Sequence, residues 1–382
     1  MEAPAAEILD DPAQLEAADP GGMLRQVASS AAQVRSSLAM TAETDFSDVI
    51  AAGRPRAIVV SGMGGSGISG DVLAAICGTG CPAQIVSVHG YQLPGWVSAA
   101  DLVIAVSCSG TTEETLAAAA DGVRRGCRLI GVGGAGSALA ALAEQARAPF
   151  VPVHSAGMPR STLWGLSIPL IGAAARLGLC EAGPEVHEAT AAVLEDVSLR
   201  CRPDSEAFLN PAKEIALELA GTLPVIWGTS PLTGVAAYRF ACQLNENAKY
   251  PAIQGVLPEA NHNQVVAFDG PFAPARAAAW PASAGPGAPV GGDGPAAPLH
   301  LVMLTDSREH PQVAKRREAS IQLARERGIG VTELTAEGDH PLERLASLVQ
   351  LIDYATVYLG IALGLDPSPI TAIAELKARI VA

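Results

Sequence analysis

Residues 61–71 read S-G-M-G-G-S-G-I-S-G-D, and the fold turns on how that stretch is read. A short apolar run, Ala57-Ile58-Val59-Val60, precedes it, and Val72, Leu73, Ile76 and Cys77 follow at helical spacing. The order is strand, glycine turn, helix. Gly62, Gly64 and Gly67 also spell G-x-G-x-x-G, the pattern of dinucleotide loops. The physics is shared by many phosphate sites: glycines admit a close backbone approach, and the N–H groups and dipole of a helix start favour an anion. The loop therefore predicts a phosphate without saying whose.

Outward from the loop, strand and helix patterns alternate. Gln84–Val88 and Leu102–Val106 read as the next strands, the second running into Ser107-Cys108-Ser109-Gly110-Thr111-Thr112. A helix then opens on Glu113 and Glu114, where the dipole favours acids. Leu129–Val132, an Ala-rich helix to about Arg147, and Phe150–Val153 continue the series. The second half repeats it: strands at 224–228, 299–304 and 331–334, and helices from Thr233 to about Asn247, Gln312–Arg327 and Leu342–Leu363. Alternation at this spacing specifies an α/β chain of two domains, each a parallel sheet flanked by helices.

The flanks read differently. Residues 1–22 are rich in Ala, Asp and Pro and are expected to form a loose lead-in, with a helix over Met23–Met40. The Pro-, Ala- and Gly-dense stretch 270–298 is expected to be a surface insertion loop. Near the C-terminus, Ser368 is a candidate N-cap with Pro369 at the first helical position. Ile370, Ile373, Leu376 and Ile380 then make one apolar face. Lys377 falls inside that stripe, an unusual place because burying an ammonium without a partner is costly. It either snorkels out at the edge or serves a function.

Composition excludes several classes. The 382 residues are 49% apolar and 17% charged, enough for two or three ordinary domains and unlike a disordered chain. A net charge of −14 without a basic stripe argues against a nucleic-acid partner. The seven cysteines, at 77, 81, 108, 127, 180, 201 and 242, form no paired C-x-x-C motifs and read as small buried hydrophobes in a reducing cytosol. Met1–Gly22 lacks the apolar core of a signal peptide. Apolar runs such as Leu163–Leu177, interrupted by Gly and Pro, fall short of a membrane span. The expectation is a cytoplasmic protein with no membrane partner.

A dinucleotide site makes a checkable demand, an acid about 20 residues beyond the loop to hold the ribose. The second strand ends Ile85-Val86-Ser87-Val88-His89, with no acid and no arginine, and the loop has no G-K-[ST]. A nicotinamide-dependent dehydrogenase is therefore the weakest reading. Ser107, Ser109, Thr111 and Thr112 instead pack four hydroxyls into six residues between a strand and a helix start. An N-cap accounts for one or two of them; a terminal phosphate monoester accounts for all four.

The motifs G-M-G-G-S-G-I-S-G-D at 62–71 and S-C-S-G-T-T-E-E-T at 107–115 resemble those of the sugar isomerase (SIS) fold. More narrowly they resemble the bifunctional phosphoglucose/phosphomannose isomerases. The likeness extends to Met158-Pro159-Arg160, Leu244-Asn245-Glu246-Asn247-Ala248-Lys249, Pro258-Glu259-Ala260-Asn261-His262-Asn263 and the terminal D-P-x-P…L-K. It implies a lead-in and helix over 1–45, SIS domains over 46–200 and 201–365, and a C-terminal helix over 366–382.

The resemblance also implies roles. The substrate is a hexose 6-phosphate, glucose or mannose, interconverted with fructose 6-phosphate through a cis-enediolate, with neither metal nor cofactor. Glu246 matches the base, and His262 the histidine of ring opening, which the neighbouring subunit of a homodimer donates. Lys377 matches the lysine at the ring oxygen, and Arg160 the arginine that steadies the enediolate. Gly65, Ser66, Ser107, Ser109 and Thr112 match the phosphate site. Asn261 and Asn263 are expected to orient the His262 imidazole. The other six histidines read as surface or structural groups. Cys108 stands where the family usually has an aromatic residue and Thr111 where it often has Asn. With the small residues after Arg160 replaced and the insertion at 270–298, a non-catalytic SIS protein that binds or senses a sugar phosphate stays open as the alternative.

Overall fold

The computed structural model describes residues 6–154, 157–274 and 297–381. Helices α1 (Pro12–Ala18), α2 (Met23–Ala28), α3 (Ser30–Glu43) and α4 (Ser47–Ala51) come first. Strand β1 (Ala57–Ser61) then leads through a 3₁₀ turn at Gly64–Ser66 into α5 (Ile68–Cys77). Next come β2 (Gln84–Val88), β3 (Leu102–Ser107), α6 (Glu113–Arg124), β4 (Arg128–Gly133), α7 (Ala138–Gln145) and β5 (Phe150–Pro152). Helices α8 (Leu163–Arg176), α9 (Pro184–Arg200) and α10 (Pro211–Leu219) follow. The last part runs β6 (Leu223–Gly228), α11 (Pro231–Asn247), β7 (Ile253–Val256), β8 (Leu299–Thr305), α12 (Pro311–Glu326), β9 (Gly330–Thr335), α13 (Pro341–Ala362) and α14 (Thr371–Val381).

Two parallel sheets result, ordered β2-β1-β3-β4-β5 and β7-β6-β8-β9. The α/β fold with helix-flanked parallel sheets is thus present. Its cause is legible in β1, β3 and β8, whose every residue is buried, as strands covered on both faces must be. The first core gathers Val59, Val103, Ala105, Ala118, Leu129 and Leu139. The second gathers Val225, Trp227, Leu301, Met303 and Phe268, with the Trp227 and Phe268 rings stacked 5.4 Å apart.

The chain divides into two compact units. One takes Gln26–Glu195 and Gly338–Ala346; the other takes the residues up to Arg25, Asp196–Glu337 and Ser347 onward. In the second unit the lead-in forms a 3₁₀ turn at Ala6–Asp10 and then α1, contrary to expectation, with Leu9 and Leu15 buried. The reason is Lys213, fully buried on α10, whose ammonium donates to the carbonyls of Leu9, Pro203 (2.8 Å) and Ser205 (2.6 Å). The backbone N–H of Ala207 adds a hydrogen bond to Asp10 at 2.7 Å. A segment poor in large apolar residues is thereby held through the Leu9 carbonyl and the Asp10 side chain.

Other expectations also change. The helix over Met23–Met40 breaks at Ser29, whose hydroxyl bonds back to the Gln26 carbonyl at 2.7 Å. α13 is long and apolar enough to cross a membrane by length and composition, and nearly all of it is buried inside the fold. Only Cys201 among the cysteines is fully buried; the other six are half-exposed. Of the insertion stretch, residues 275–296 lie outside the described residues.

Candidate active site

The first sheet builds a candidate anion cradle from its strand order. The chain runs from β1 outward to β2 and then crosses back to β3, so β1 and β3 are neighbours whose following loops leave in opposite directions. Ligands of such sheets bind at that switch point, beyond the carboxyl ends of the strands. The glycine loop follows β1 and the hydroxyl cluster follows β3. The structure brings both together: the Cys108 N–H donates to Ser66 Oγ at 3.1 Å.

Backbone contact explains the glycines. A Cβ on Gly62 would lie 2.9 Å from the Ser66 carbonyl oxygen and 3.0 Å from that of Val106. On Gly65 it would meet the Pro159 carbonyl oxygen at 3.3 Å and Arg160 Cα at 3.4 Å. Arg160 is itself 3% exposed, so the loop rests on the segment that carries the candidate cation of this unit. Gly70, the last glycine of the motif, is a packing residue: a Cβ there would meet Ser87 Oγ at 2.5 Å, and Asp71 accepts from that hydroxyl at 2.6 Å.

The hydroxyls are wired to one another. Ser107 Oγ and Thr112 Oγ1 are 2.9 Å apart, and Ser107 Oγ also accepts from the Gly110 N–H at 3.0 Å. Ser109 Oγ accepts from the Thr111 N–H at 3.2 Å and its hydroxyl at 3.0 Å. Thr112 stands at the N-cap of α6, yet its side chain makes no cap bond. It leaves the first-turn N–H groups to another acceptor, which at a helix start favours an anion. Ser69 and Thr115, in the first turns of α5 and α6, bury hydroxyls that have no partner among the described residues. His89 braces the loop, a structural role: its Nδ1 lies 2.9 Å from the Gly62 carbonyl oxygen. The register that sets Val88 beside Ser61 puts it there.

In the other unit the candidates are placed by α11, β7 and α14. A capping box starts α11, with Ser230 accepting from the Thr233 N–H at 3.2 Å. Its inner face carries Arg239, Gln243 and Asn247, which bind α13. Arg239 grips Asp353 at 2.9 and 2.5 Å, Gln243 reaches the same carboxylate at 3.1 Å, and Asn247 donates to Thr356 at 3.0 Å. Burial pushes the Asp353 carboxyl up while the Arg239 guanidinium pulls it down. Asn245 and Asn247 thus stay helical, contrary to their poor propensity, because Asn247 serves this network. Glu246 stands half-buried between them.

Lys249 carries no role in the sequence analysis and proves to be the clamp of this end. It adopts φ +54°, and its ammonium donates to the carbonyls of Glu246 (3.1 Å), Asn247 (3.3 Å), Asp366 (2.9 Å) and Pro367 (3.1 Å). The N-E-N-A-K and D-P-x-P motifs therefore meet.

Two expectations fail beyond the clamp. Ser368 does not cap α14, which begins at Thr371: Asp366 takes the Ser368 N–H at 2.8 Å, and the Ser368 side chain is buried against Gly21. Lys377 is not on a buried face either. Every residue from Thr371 to Ile380 is exposed, with Leu376 at 59% and Ile380 at 72%, because nothing among the described residues covers the apolar stripe.

His262 is exposed on a 3₁₀ turn just past β7, and the asparagines do not orient it. Asn261 donates to Ser320 at 2.8 Å and Asn263 to Glu259 at 3.0 Å. Within this unit the structure also separates His262 from Glu246. β6 and β7 are parallel, so α11 runs back and ends where β7 begins, whereas His262 follows the end of β7. The four residues of β7 alone put roughly 13 Å between those ends, at about 3.3 Å per residue. The other histidines are structural or exposed: His187 and His300 are buried, which lowers their proton affinity, and His310 and His340 accept helix-start N–H groups.

Comparison with known proteins narrows the chemistry. Residues 208–380 match the family described as "Bacterial phospho-glucose isomerase C-terminal SIS domain". The chain is 32% identical over 323 residues to the bifunctional phosphoglucose/phosphomannose isomerase of Caldicellulosiruptor bescii, covering 85% of this chain and 89% of that one. It is 28% identical to the Aquifex aeolicus protein of the same name, over 85% of this chain and 90% of that one. Among solved structures, a hypothetical protein from Thermus thermophilus superimposes with a TM-score of 0.68 at 16% identity, over 98% of this chain and 94% of that one.

Proposed function

The chain belongs to the bifunctional phosphoglucose/phosphomannose isomerase family and is a sugar-phosphate isomerase, and from that premise we propose that it interconverts glucose 6-phosphate and mannose 6-phosphate with fructose 6-phosphate. The observation that carries the substrate class is the meeting of the Ser66 loop with the Ser107–Thr112 hydroxyls at two helix starts. On this reading Gly65, Ser66, Ser107, Ser109 and Thr112, from the SIS domain over 46–200, hold the phosphate. The SIS domain over 201–365 supplies Glu246 and His262, and the segment 366–382 supplies Lys377.

His262 and Lys377 open the ring, the lysine donating to the ring oxygen as the histidine takes the hydroxyl proton. Glu246 removes the C2 proton of the open aldose and returns it to C1. Arg160, a cation that cannot take that proton itself, steadies the enediolate formed between the two transfers. The net change is a relocation of protons within one sugar, so the chemistry calls for no metal and no redox cofactor.

The placement of Glu246 and His262 at opposite ends of β7 supports a homodimer in which each subunit lends His262 to the other. The test is a metal-free coupled assay with each hexose phosphate, on Glu246→Gln and His262→Asn. Each variant alone is expected to lose about 10²–10⁴ in kcat, the usual worth of a positioned acid or base. Subunits of the two variants mixed and reassembled should recover roughly a quarter of wild-type activity, since half of randomly paired dimers carry one intact site of two. No recovery overturns the exchange. Full activity of Glu246→Gln overturns the mechanism, and tight binding without turnover in the wild type selects the sensor reading.

A further inference from the structure

The rim of the first sheet where its strands begin gathers arginines, in a chain whose net charge is −14. Arg54 and Arg56 precede β1, Pro82 precedes β2, Ala100 precedes β3, and Arg128 opens β4. They line one open groove of about 560 Å³, and no acidic side chain among the described residues lines it. The candidate cradle lies at the other ends of the same strands. β1 has five residues and β3 six, so roughly 16–20 Å of strand, at about 3.3 Å per residue, separates groove from cradle.

The fold employs the three guanidinium groups unequally. Arg56 donates from Nε and Nη2 to the buried Asp101 carboxylate at 2.9 and 2.6 Å, which neutralises its charge. Its backbone N–H donates to the Ala100 carbonyl at 2.9 Å and fixes the loop that carries Arg54. Arg128 donates through Nη1 alone, to the carbonyls of Val49 (3.1 Å) and Gly53 (2.6 Å) at the end of α4. Helix-end carbonyls suit a cation but offset only part of a full charge. Burial lowers the proton affinity of Arg128, and Asp101 counters this in smaller measure. Arg128 also lines a cavity of about 280 Å³ with Asp48 and Arg147, one acid against one base. Arg54 is exposed, and its side chain has no acceptor among the described residues. Two positive charges therefore line the groove with donors unused.

We propose that this groove is a second anion site, separate from the candidate cradle, and that it takes a pyrophosphate group, free or as the tail of a nucleotide. The planar fork of a guanidinium matches two oxygens of one phosphoryl group. Two such forks, one pinned at the start of β4 and one on the loop before β1, match two linked phosphoryl groups better than a single phosphate. Recognition here differs in kind from that of the candidate cradle, which offers backbone N–H groups and hydroxyls. Exposed guanidinium groups act through charge, so binding weakens as salt screens it. The site is independent of the isomerisation, and its test reads binding and not turnover.

The experiment titrates the full chain with inorganic pyrophosphate by calorimetry at low ionic strength. The wild type should bind with a Kd below about 1 mM. Arg54→Gln, a change on an exposed loop, should weaken that binding about tenfold or more, the usual worth of one hydrogen bond to a charged group. Arginine modification by phenylglyoxal, mapped by mass, locates the ligand: pyrophosphate should protect Arg54 and Arg128. Titration with ADP separates the two sources. Affinity equal to or above that of pyrophosphate assigns the tail of a nucleotide, and a tenfold loss assigns the free ion. No binding by the wild type, no effect of Arg54→Gln, equally tight binding of inorganic phosphate, or protection confined to Arg160 overturns the proposal.

Discussion

The two units handle their candidate residues in opposite ways. In the unit built on Gln26–Glu195, the proposed anion ligands are pre-wired: Ser66 is tied to Cys108, Ser107 to Thr112 and Ser109 to Thr111. In the other unit Glu246 and His262 stand at opposite ends of a strand, and Lys377 rides a helix exposed all round. The first arrangement is finished before a ligand arrives. The second keeps its proposed reacting groups spread out around well-bonded supports, Arg239–Asp353 and Lys249. Holding a phosphate demands a fixed shape, and the proposed exchange of His262 between subunits would complete the second arrangement on assembly.

The sharpest way to break this contrast is at Gly62, where any Cβ meets backbone that cannot rotate away. Gly62→Ala should displace the loop and raise KM for hexose 6-phosphates by about 100-fold, with a smaller change in kcat. Unchanged steady-state constants would mean that the loop is not the phosphate holder. A second blow falls on the looser unit. Lys249→Met removes four donations to carbonyls and should cost about 2 kcal/mol in urea unfolding, together with a several-fold loss of kcat as the 366–367 segment parts from α11. Stability lost without activity would confine Lys249 to a structural role.

The smallest effect compares the units through acid. Burial lowers the proton affinity of His187 in one and of His300 in the other. Each ring is harder to protonate in the fold than after unfolding, where it takes a proton below about pH 6.5. Stability is therefore complete above that value and falls as pH drops below it, by at most roughly 1.4 kcal/mol per pH unit and per histidine. His187→Asn and His300→Asn should each flatten that slope between about pH 6.5 and 5. Whichever variant flattens it more marks the histidine whose proton affinity burial lowers further.

Legibility followed the same divide. The strand–loop–helix readings around 57–77 and 102–124 depended on local pattern, and the structure keeps them within a residue or so. Helical spacing at 370–380 correctly identified an apolar stripe, but periodicity reports which face is apolar and not whether anything covers it. That is why burial of Lys377 does not follow from its place in the stripe. Side-chain-to-carbonyl clamps leave no periodic trace at all: Lys213 reaches across about 200 residues and Lys249 across more than a hundred, so neither was visible. The asparagines beside His262 suggested an orienting pair, yet each amide had a partner on another element or turn.

Lys213 carries one further consequence, for the order in which the chain takes shape on the ribosome. Its carbonyl partner Leu9 emerges 204 residues ahead of it. At roughly 5–20 residues per second the leading segment waits about 10–40 s for the ammonium that will hold it. By then almost all of the Gln26–Glu195 unit has been synthesised and is free to collapse, while the unit that owns the leading segment still lacks its sheet. Residues made early are among the last to find their place, and a chaperone that grips nascent segments would meet this one unpartnered.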